Sequence, residues 1–497
     1  MRPAMMMMSL KHNITAEVYM LVSRSSRISL SSFQQQLPVE LPAPVSPPSQ
    51  PPAAAPDRSR SDPREFSFGL LTAFCPPELV DRVVSECGRQ ERRCRLLPAR
   101  LMVYGLLLVC LWPELGYEKL MHRLGDMGAA LGVWVAPHKS AFVRARRRLG
   151  WEVMERLFQT LSRPLGDPTR DAACFWRGRR VVALDGTTLE LAATPELERA
   201  FGGQLAHDGS RIGPPRARLV TLVECGTRAL LDAVLGHYAE GENSLAQGLI
   251  RSLTPGMLVV ADRGFPSKPL WRMFSAAGVD LLWRAKQGIG KRRLRDLADG
   301  SYLVHFGNGN PLTIRVIEYR LQGSGQTYRL LTNLLDPAVA DALELARLYS
   351  QRWEVEILTY ELKIEQGGGR ALRSQTEIGV RQELWAHCVL HCVNRQLVYK
   401  AAITTPDRDP DQISFSLAQD AIRRSLQQIV IVSRRGMAKL IERAVRELAA
   451  LRARLSRRAR SYPRVVYKRI SRYGNRAHHP SPGPTIRPPL QILLCGA

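Results

Sequence analysis

The sequence predicts a mixed α/β protein, with helical segments before and after a sheet-forming middle region. Apolar residues recur every three or four positions between residues 64 and 165, which is typical of amphipathic helices. Short β-branched and apolar runs then alternate with helical segments from residue 176 onward, and further such runs follow at about 290–336. Strands that are partly consecutive and partly separated by helices predict a mixed sheet.

The first helical region, which we assign to an N-terminal helical domain at 64–170, contains four helical patterns at 76–90, 98–114, 116–131 and 139–161. The apolar run at 101–112 is shorter than the roughly 20 residues that a membrane-spanning helix needs, so it is interpreted as a core helix. The last pattern carries a basic cluster, which is either a solvated helix face or a surface for a polyanion. Its members are Lys139, Arg144, Arg146, Arg147 and Arg148.

The middle region, 176–403, is predicted to form the sheet. Its strands are expected at 181–191, 217–225, 229–238, 256–264 and 279–286, with helices at 243–253 and 267–278. A β-rich insertion at 290–336 interrupts it, with glycine-rich turns at 307–310 and 322–326. A C-terminal helical region follows at 404–455.

Both ends of the chain differ in composition from the rest. Residues 1–63 are rich in proline, alanine and polar residues, which predicts a disordered extension. Residues 456–497 form a basic, proline-rich tail, and its basic part interleaves arginine and lysine with Tyr462, Tyr467 and Tyr473. This tail either solubilises the chain or contacts phosphates and bases.

The charge balance indicates a polyanionic partner. The 497 residues include 71 lysines and arginines against 45 aspartates and glutamates, a formal net charge of +26. Nucleic acid is favoured over a membrane because no run of 18 apolar residues occurs. With no convincing signal peptide and nine dispersed cysteines, the sequence predicts a cytoplasmic, nucleoid-associated protein with reduced thiols.

Two aspartates occupy similar positions at the ends of predicted strands. Asp185 lies in VVALDGTTLEL and Asp262 in GMLVVADRGFP. An acid beside a buried strand is costly unless it is paired or metal-bound, so two of them indicate a shared site. Each aspartate alone could equally be a turn former.

A third acid lies in the stretch LYSQRWEVEILTYELK, with the spacing Y-x2-R-x3-E-x6-K. On a regular helix its four residues fall within a sector of roughly 60°; they are Tyr349, Arg352, Glu356 and Lys363. Glu354 and Glu361 point roughly the other way. The face is either a solvated amphipathic surface with i,i+4 charge pairs or a surface for a metal ion and a phosphate backbone.

Three carboxylates suit a two-metal phosphoryl-transfer site. Mg²⁺ binds oxygen ligands, and two ions about 4 Å apart can activate an attacking oxygen and stabilise a leaving one. We therefore predict Asp185, Asp262 and Glu356 as catalytic metal ligands.

These motifs resemble those of the bacterial transposases of the insertion-sequence-four family, which carry a DDE catalytic triad. Asp185-Gly186-Thr187, the run Asp262 to Phe265, and the four residues of the Y-R-E-K signature match the family's motifs in order, and the resemblance covers about residues 70–475. The resemblance implies a ribonuclease-H-like core, two Mg²⁺ (or Mn²⁺) ions, and cleavage and strand transfer at the ends of a mobile element.

The same resemblance implies how DNA is bound. Tyr349, Arg352 and Lys363 would contact phosphates near the cut, while Lys139, Arg144 and Arg147 are candidates for recognising the terminal inverted repeats. Double-stranded DNA of the element and of the target are the expected partners, in a synaptic complex of a DNA-dependent homodimer, with no membrane partner.

Two other functions remain open from the residues: a nuclease that does not transpose, and a DNA-binding regulator that does not cut. Several further residues are interpreted as structural. Glu240 and Glu242 are expected to begin a helix, the His387–Cys392 pattern to pack in a core, and Trp283 and Trp353 to pack rather than to hold a flipped base.

Overall fold

The computed structural model describes residues 68–93, 95–129, 138–286, 288–289, 292–321, 326–427, 434–451 and 492–495. All of them belong to one compact unit, Phe66–Pro463 with His479–Ala497, and the other unit, Met1–Glu65 with Arg464–His478, lies outside the described residues. The predicted extension at 1–63 and the basic part of the tail therefore also lie outside them. Among the described residues, no helix is both long enough and apolar enough to cross a membrane.

The N-terminal region is helical, as the apolar spacing predicts. Its helices are α1 Leu70–Phe74, α2 Pro77–Glu86, α3 Ala99–Leu111, α4 Tyr117–Ala129, α5 Lys139–Leu149 and α6 Glu152–Leu161. The single pattern at 139–161 is two helices, because Gly150 ends α5 with a φ of 73°, a left-handed conformation that glycine adopts without strain. Every residue of α3 from Met102 to Leu111 is buried, so the apolar run at 101–112 is a core helix.

The middle region forms one mixed sheet of eleven strands. Its strands are β1 Phe175–Trp176, β2 Arg179–Glu190, β5 Arg216–Glu224, β6 Leu230–His237, β7 Met257–Ala261, β8 Asp280–Arg284, β9 Arg293–Asp296, β10 Tyr302–Phe306, β11 Leu312–Leu321, β12 Thr327–Thr332 and β13 Ile492–Leu494. A separate pair, β3 Gln204–Leu205 and β4 Arg211–Ile212, stands apart from it.

The first part of the sheet has the strand order β6-β5-β2-β7-β8. Strands β6, β5 and β2 pair antiparallel, whereas β2, β7 and β8 pair parallel. The parallel crossovers contain α8 Glu242–Ala246 with a 3₁₀ turn at Gln247–Ser252, and α9 Lys268–Ala276. This order and these directions agree with the ribonuclease-H-like core that the resemblance implies, and the predicted mixed α/β fold class is confirmed.

The β-rich insertion continues the same sheet rather than forming a second one. Strand β12 pairs with β8, and β11, β10 and β9 follow outward. Strand β13, in the proline-rich part of the predicted tail, pairs with β11, so Ile492–Leu494 belong to the sheet.

Helices cover both faces of the sheet. One face packs with α8 and α9. The other packs with the N-terminal helices and the C-terminal helical segments, which are α10 Ala342–Leu348, α11 Trp353–Tyr360, α12 Glu377–Ala402, α13 Phe415–Gln427 and α14 Arg434–Ala450. The short α7, Pro195–Phe201, belongs to a third, smaller cluster. Helix α12 is buried along most of its 26 residues, and His387, Cys388, His391 and Cys392 all lie in the core, as predicted.

Candidate active site

The two predicted aspartates lie side by side on neighbouring parallel strands. Leu184 of β2 pairs with Ala261, the last residue of β7, and Asp185 and Asp262 come next along their strands. Strand β2 continues to Glu190 while β7 ends, so the sheet opens on this side at Asp185. Asp185 and Asp262 are both partly exposed. The strand pattern therefore brings two water-accessible carboxylates to one edge of a buried sheet.

Backbone N–H groups fix each aspartate. Asp185 Oδ1 accepts a hydrogen bond from the Gly186 N–H at 2.9 Å, and Asp262 Oδ1 accepts one from the Gly264 N–H at 2.7 Å.

The Y-R-E-K segment meets the same edge of the sheet. The Tyr349 hydroxyl donates to the Ala261 carbonyl at 3.2 Å, which ties the start of the segment to the end of β7. Lys363 Nζ donates to Thr187 Oγ1 at 3.0 Å, which ties its other end to β2 two residues beyond Asp185. The structure therefore brings the third motif against the first two.

The Arg352 guanidinium interacts electrostatically with two of the carboxylates, Glu356 and Asp185. Its Nη2 lies 2.5 Å from Glu356 Oε1. Burial alone would lower the pKa of this guanidinium, but the surrounding charges, including Glu356 and Asp185, outweigh burial and raise the pKa. Burial also raises the pKa of the Tyr349 phenol, with Asp262 among its charged neighbours. Arg352 remains a cation, and Tyr349 remains a neutral donor.

The segment is not one regular α-helix, which corrects the expectation of a single helical face. Tyr349–Arg352 is a 3₁₀ turn, Trp353–Tyr360 is α11, and Glu361–Gln366 is a π-helical stretch. Tightening before Glu356 and widening after it change the angle per residue, and π segments occur frequently at functional sites. The side chains of Tyr349 and Lys363 nevertheless reach the same sheet edge.

The opposite side of this segment is buried in an ion network. Arg228, in the turn between β5 and β6, contacts Glu354 at 2.6 Å and Glu361 at 3.5 Å, and it also pairs with Asp411. Arg395 and His391 of α12 contact Glu361 as well. The prediction that Glu354 and Glu361 point away from the site agrees with this arrangement, although no sequence signal identified Arg228 as their partner.

The two tryptophans differ in environment. Trp283 is fully buried and packs edge-on against Trp271 and Phe274, as predicted. Trp353 is 50% exposed and lies beside Arg352, whose guanidinium is 5.7 Å from the ring centroid. The predicted packing role is therefore wrong for Trp353, because half of its surface faces solvent next to the proposed site.

The basic cluster of α5 separates into two groups. Lys139, Arg144 and Arg147 are exposed, as a DNA-contacting surface requires. Arg146 is buried and donates to the Tyr117 hydroxyl, the Gln382 side chain and the Gly379 carbonyl. Arg146 is thus a structural link between α5 and α12 and is removed from the polyanion-binding surface that the basic run indicates.

The donor set at the sheet edge suits a hard divalent cation. Three carboxylates with water access offer the oxygen ligands that such ions prefer, and no soft ligand is needed. Among the described residues, no three His, Cys, Asp or Glu side chains are already grouped as a metal site, and Glu356 Oε1 is engaged by Arg352. Asp185, Asp262 and Glu356 are the residues of this edge that would hold the ion.

Comparison with known proteins agrees with the motifs and the sheet. The family model described as the insertion element 4 transposase N-terminal domain matches residues 65–159, and the one described as the transposase DDE domain matches residues 176–393. The transposase InsG for insertion sequence element IS4, from Escherichia coli (strain K12), is 29% identical over 429 residues, which cover 84% of this chain and 95% of that protein. InsZ of the same strain is 24% identical over 214 residues, 43% of this chain and 70% of that protein.

Among solved structures, this chain is similar to a cryo-EM structure of the piggyBac transposase synaptic complex with hairpin DNA. The TM-score is 0.44 at 11% identity, and the match covers 77% of this chain and 84% of that one. The two family models together extend from the first helices, through the sheet edge with its two aspartates, to the Y-R-E-K segment and most of α12. The chain therefore carries an insertion element 4 transposase N-terminal domain followed by a transposase DDE domain.

Proposed function

We propose that this transposase moves its element by a cut-and-paste reaction at terminal inverted repeats, with Asp185, Asp262 and Glu356 as its catalytic carboxylates. The observation that carries the proposal is the strand register that sets Asp185 beside Asp262, with the Y-R-E-K segment tied to both strands. Two bound divalent ions, Mg²⁺ or Mn²⁺, would supply activation of the attacking oxygen and stabilisation of the leaving one.

The protein's own residues position the DNA backbone. The cations Arg352 and Lys363 lie at the two sides of Glu356 along the segment, and each already contacts a group of the site. A phosphate at this edge would receive charge-assisted hydrogen bonds from both. The Tyr349 hydroxyl donates to the Ala261 carbonyl at the end of β7, and it thereby helps to position the next residue, Asp262.

The reaction sequence that we propose starts with hydrolysis of one strand at the end of the element. A water oxygen bonds to phosphorus, the bond from phosphorus to the 3′ oxygen breaks, and a 3′-hydroxyl is released. That hydroxyl attacks a phosphorus of the opposite strand, whose bond to the 3′ oxygen of the flanking DNA breaks, and a hairpin forms. Water then hydrolyses the hairpin and releases the 3′-hydroxyl again, which attacks a phosphorus of the target DNA and displaces a target 3′ oxygen. Each step either hydrolyses a phosphodiester bond or replaces one phosphodiester bond by another. No cofactor other than the metal ions is therefore required.

The remaining regions would serve recognition. The helical region 64–170 presents Lys139, Arg144 and Arg147 to the terminal repeat, and the region 176–403 carries out the chemistry. Two chains would bring the two ends together as a DNA-dependent homodimer.

The decisive experiment is cleavage of DNA carrying the element's own flanking repeats, in Mg²⁺ and in EDTA. We expect metal-dependent nicking at the repeat tip by the wild type, and loss of nicking with retained DNA binding in Asp185→Asn, Asp262→Asn and Glu356→Gln. Glu442→Gln, which alters an exposed glutamate of α14, is the matched control. Specific binding without cleavage by the wild type in any divalent metal would instead identify a regulator.

A further inference from the structure

A fourth carboxylate, Glu242, reaches the same sheet edge from the opposite face. Glu242 is the first residue of α8, directly after the turn that follows β6. Its side chain is 29% exposed and lies over the backbone of Gly186 and Gly264, the glycines of the two aspartate motifs.

A side chain at Gly186 would force the Glu242 carboxyl group out of its present position. A Cβ on Gly186 would stand 2.5 Å from both Cδ and Oε1 of Glu242, well inside van der Waals contact. The φ of Gly186 is outside the left-handed region, so backbone freedom does not explain the glycine. The glycine that follows Asp185 therefore makes room for the Glu242 carboxyl group.

Gly264, three residues beyond the end of β7, also lies near the Glu242 carboxyl group. The position that a Cβ would take there is 2.8 Å from Asp262 Oδ1 and 3.5 Å from Glu242 Oε2. Two carboxylate oxygens from different elements thus lie within 3.5 Å of one point. The close contact at Gly264 is with Asp262, whereas Glu242 Oε2 lies at an ordinary van der Waals distance.

The two oxygens of Glu242 have different environments. Oε1 accepts from Arg218 Nη1 at 3.2 Å, and Arg218 is itself held by two hydrogen bonds to the Tyr238 carbonyl. Oε2 is the oxygen that approaches Gly264 and Asp262. Arg218 therefore orients the carboxyl group so that one oxygen points to the edge where Asp262 lies.

A role in starting α8 does not account for this placement. The helix has only five residues, and its N-cap, Gly241, has no side chain to accept a hydrogen bond from the first N–H groups. A glutamate that only complements a helix dipole would sit at the solvent-exposed end of the first turn. Glu242 instead packs against the two catalytic motifs, while its neighbour Glu240 closes the turn by accepting from the His237 N–H at 2.9 Å.

We propose that Glu242 belongs to the active site as a fourth carboxylate, and that its Oε2 binds, directly or through one water, the divalent ion held by Asp262. The proposal rests on the proposed function, because it assumes that Asp262 is a metal ligand. It relates the glycine after Asp185 to the Glu242 carboxyl group, and it makes the site a set of four acids, contributed by β2, the residue that follows β7, α8 and α11.

The test measures metal binding and does not depend on turnover. The full chain, bound to a duplex carrying the flanking repeat, is titrated with Mn²⁺, and free Mn²⁺ is followed by electron paramagnetic resonance. Glu242→Gln keeps the shape of the side chain and its contact with Arg218, so we expect a folded protein with Mn²⁺ affinity about tenfold or more weaker. Glu240→Gln, two residues away and outside the site, is the matched control and should bind Mn²⁺ as the wild type does.

Asp262→Asn separates this inference from the proposed function. If Asp262→Asn loses Mn²⁺ binding while Glu242→Gln keeps the wild-type affinity, the role of Glu242 is refuted and the three-carboxylate site stands. If Asp262→Asn also binds as the wild type does, the proposed metal site itself is refuted.

Gly186→Ala gives a second test, because its methyl group would displace the Glu242 carboxyl group without removing any acid. We expect weakened Mn²⁺ binding in Gly186→Ala and no further loss in the double variant with Glu242→Gln. Additive losses in the double variant would show that the two positions act independently, which contradicts the proposal.

Discussion

Glu361→Gln tests whether the buried ion network holds the Y-R-E-K segment in place. Glu361 is 3% exposed, begins the π-helical stretch, and faces Arg395, His391 and Arg228. Glutamine has nearly the same volume, so the substitution removes the negative charge and leaves the packing intact. Arg395 would then lose its charged partner inside the core, while Arg228 would keep Glu354 and Asp411.

Two routes give a similar magnitude for the lost stability. Removing one partner of a buried ion pair typically costs about 3–5 kcal/mol, because it leaves an uncompensated charge. Burial would raise the pKa of Glu361, but Arg395, His391 and Arg228 outweigh it and lower the pKa from 4.5 to about 2. At about 1.4 kcal/mol per pKa unit, this lowering corresponds to about 3 kcal/mol of preferential stabilisation of the ionised form.

The assay is urea unfolding at pH 7, followed by tryptophan fluorescence, for wild type, Glu361→Gln and the exposed control Glu442→Gln. We expect the free energy of unfolding to fall by about 3 kcal/mol in Glu361→Gln and by less than about 0.5 kcal/mol in the control. A loss below about 1 kcal/mol in Glu361→Gln would refute the reasoning, since it would mean that Arg395 finds water or another partner at little cost.

The pH dependence checks the same interaction with a fixed sign. The folded pKa of Glu361 lies below its unfolded value, so its contribution is fully present above pH 4.5 and is lost as the pH falls toward about 2. The wild type should therefore lose stability relative to Glu361→Gln across this window. Parallel stability curves for the two proteins between pH 5 and pH 2 would contradict the assignment.

Three further predictions concern residues that we propose to bind DNA or that support the fold. Arg147→Met should leave the free energy of unfolding unchanged, and it should lower the slope of repeat-binding affinity against salt concentration by about 1. Arg146→Met should destabilise the protein, because the hydrogen bonds of Arg146 to α12 are lost. Urea denaturation and binding titrations over a range of salt concentrations distinguish the two effects. Lys363→Gln should also lower the salt slope by about 1, and an unchanged slope would argue against a phosphate contact. Trp353→Ala should change the free energy of unfolding by less than about 0.5 kcal/mol, because the ring is half exposed. The same substitution should reduce strand cleavage in a gel assay. Unchanged cleavage would show that the exposed ring has no role in DNA handling.

The elements of the catalytic sheet could be predicted because their signals are local. A short β-branched or apolar run marks each of the strands β2, β5, β6, β7 and β8. The parallel direction of β2 and β7 results from the helical crossover between β6 and β7. Once these strands are adjacent, Asp185 and Asp262 must meet, since each comes directly after a paired residue. The position of these two aspartates was predictable because each of the two apolar strand patterns is followed by a carboxylate.

The roles of individual cations could not be read in the same way. Arg144, Arg146, Arg147 and Arg148 lie in one run, and only the rotation of α5 against α12 decides that Arg146 is buried while Arg144 and Arg147 face solvent. Arg228 is likewise an ordinary turn residue in the sequence. Its role depends on Glu354, Glu361 and Asp411, which follow it by more than 120 positions. Contacts over such separations leave no local pattern.

The two faces of the Y-R-E-K segment contact different partners, a buried arginine on one side and the sheet edge on the other, and the change of helix type allows both sets of contacts. On the buried face, Glu354 and Glu361 must meet Arg228, which contacts both of them. On the other face, Tyr349 and Lys363 must reach β7 and β2, whose ends lie at different heights of the sheet. A regular α-helix repeats every 3.6 residues, so it cannot adjust one face without rotating the other. A tight turn before Glu356 and a wider π stretch after it change the rotation locally, so the network on the buried face can anchor the segment while Glu356 remains at the open edge beside Arg352.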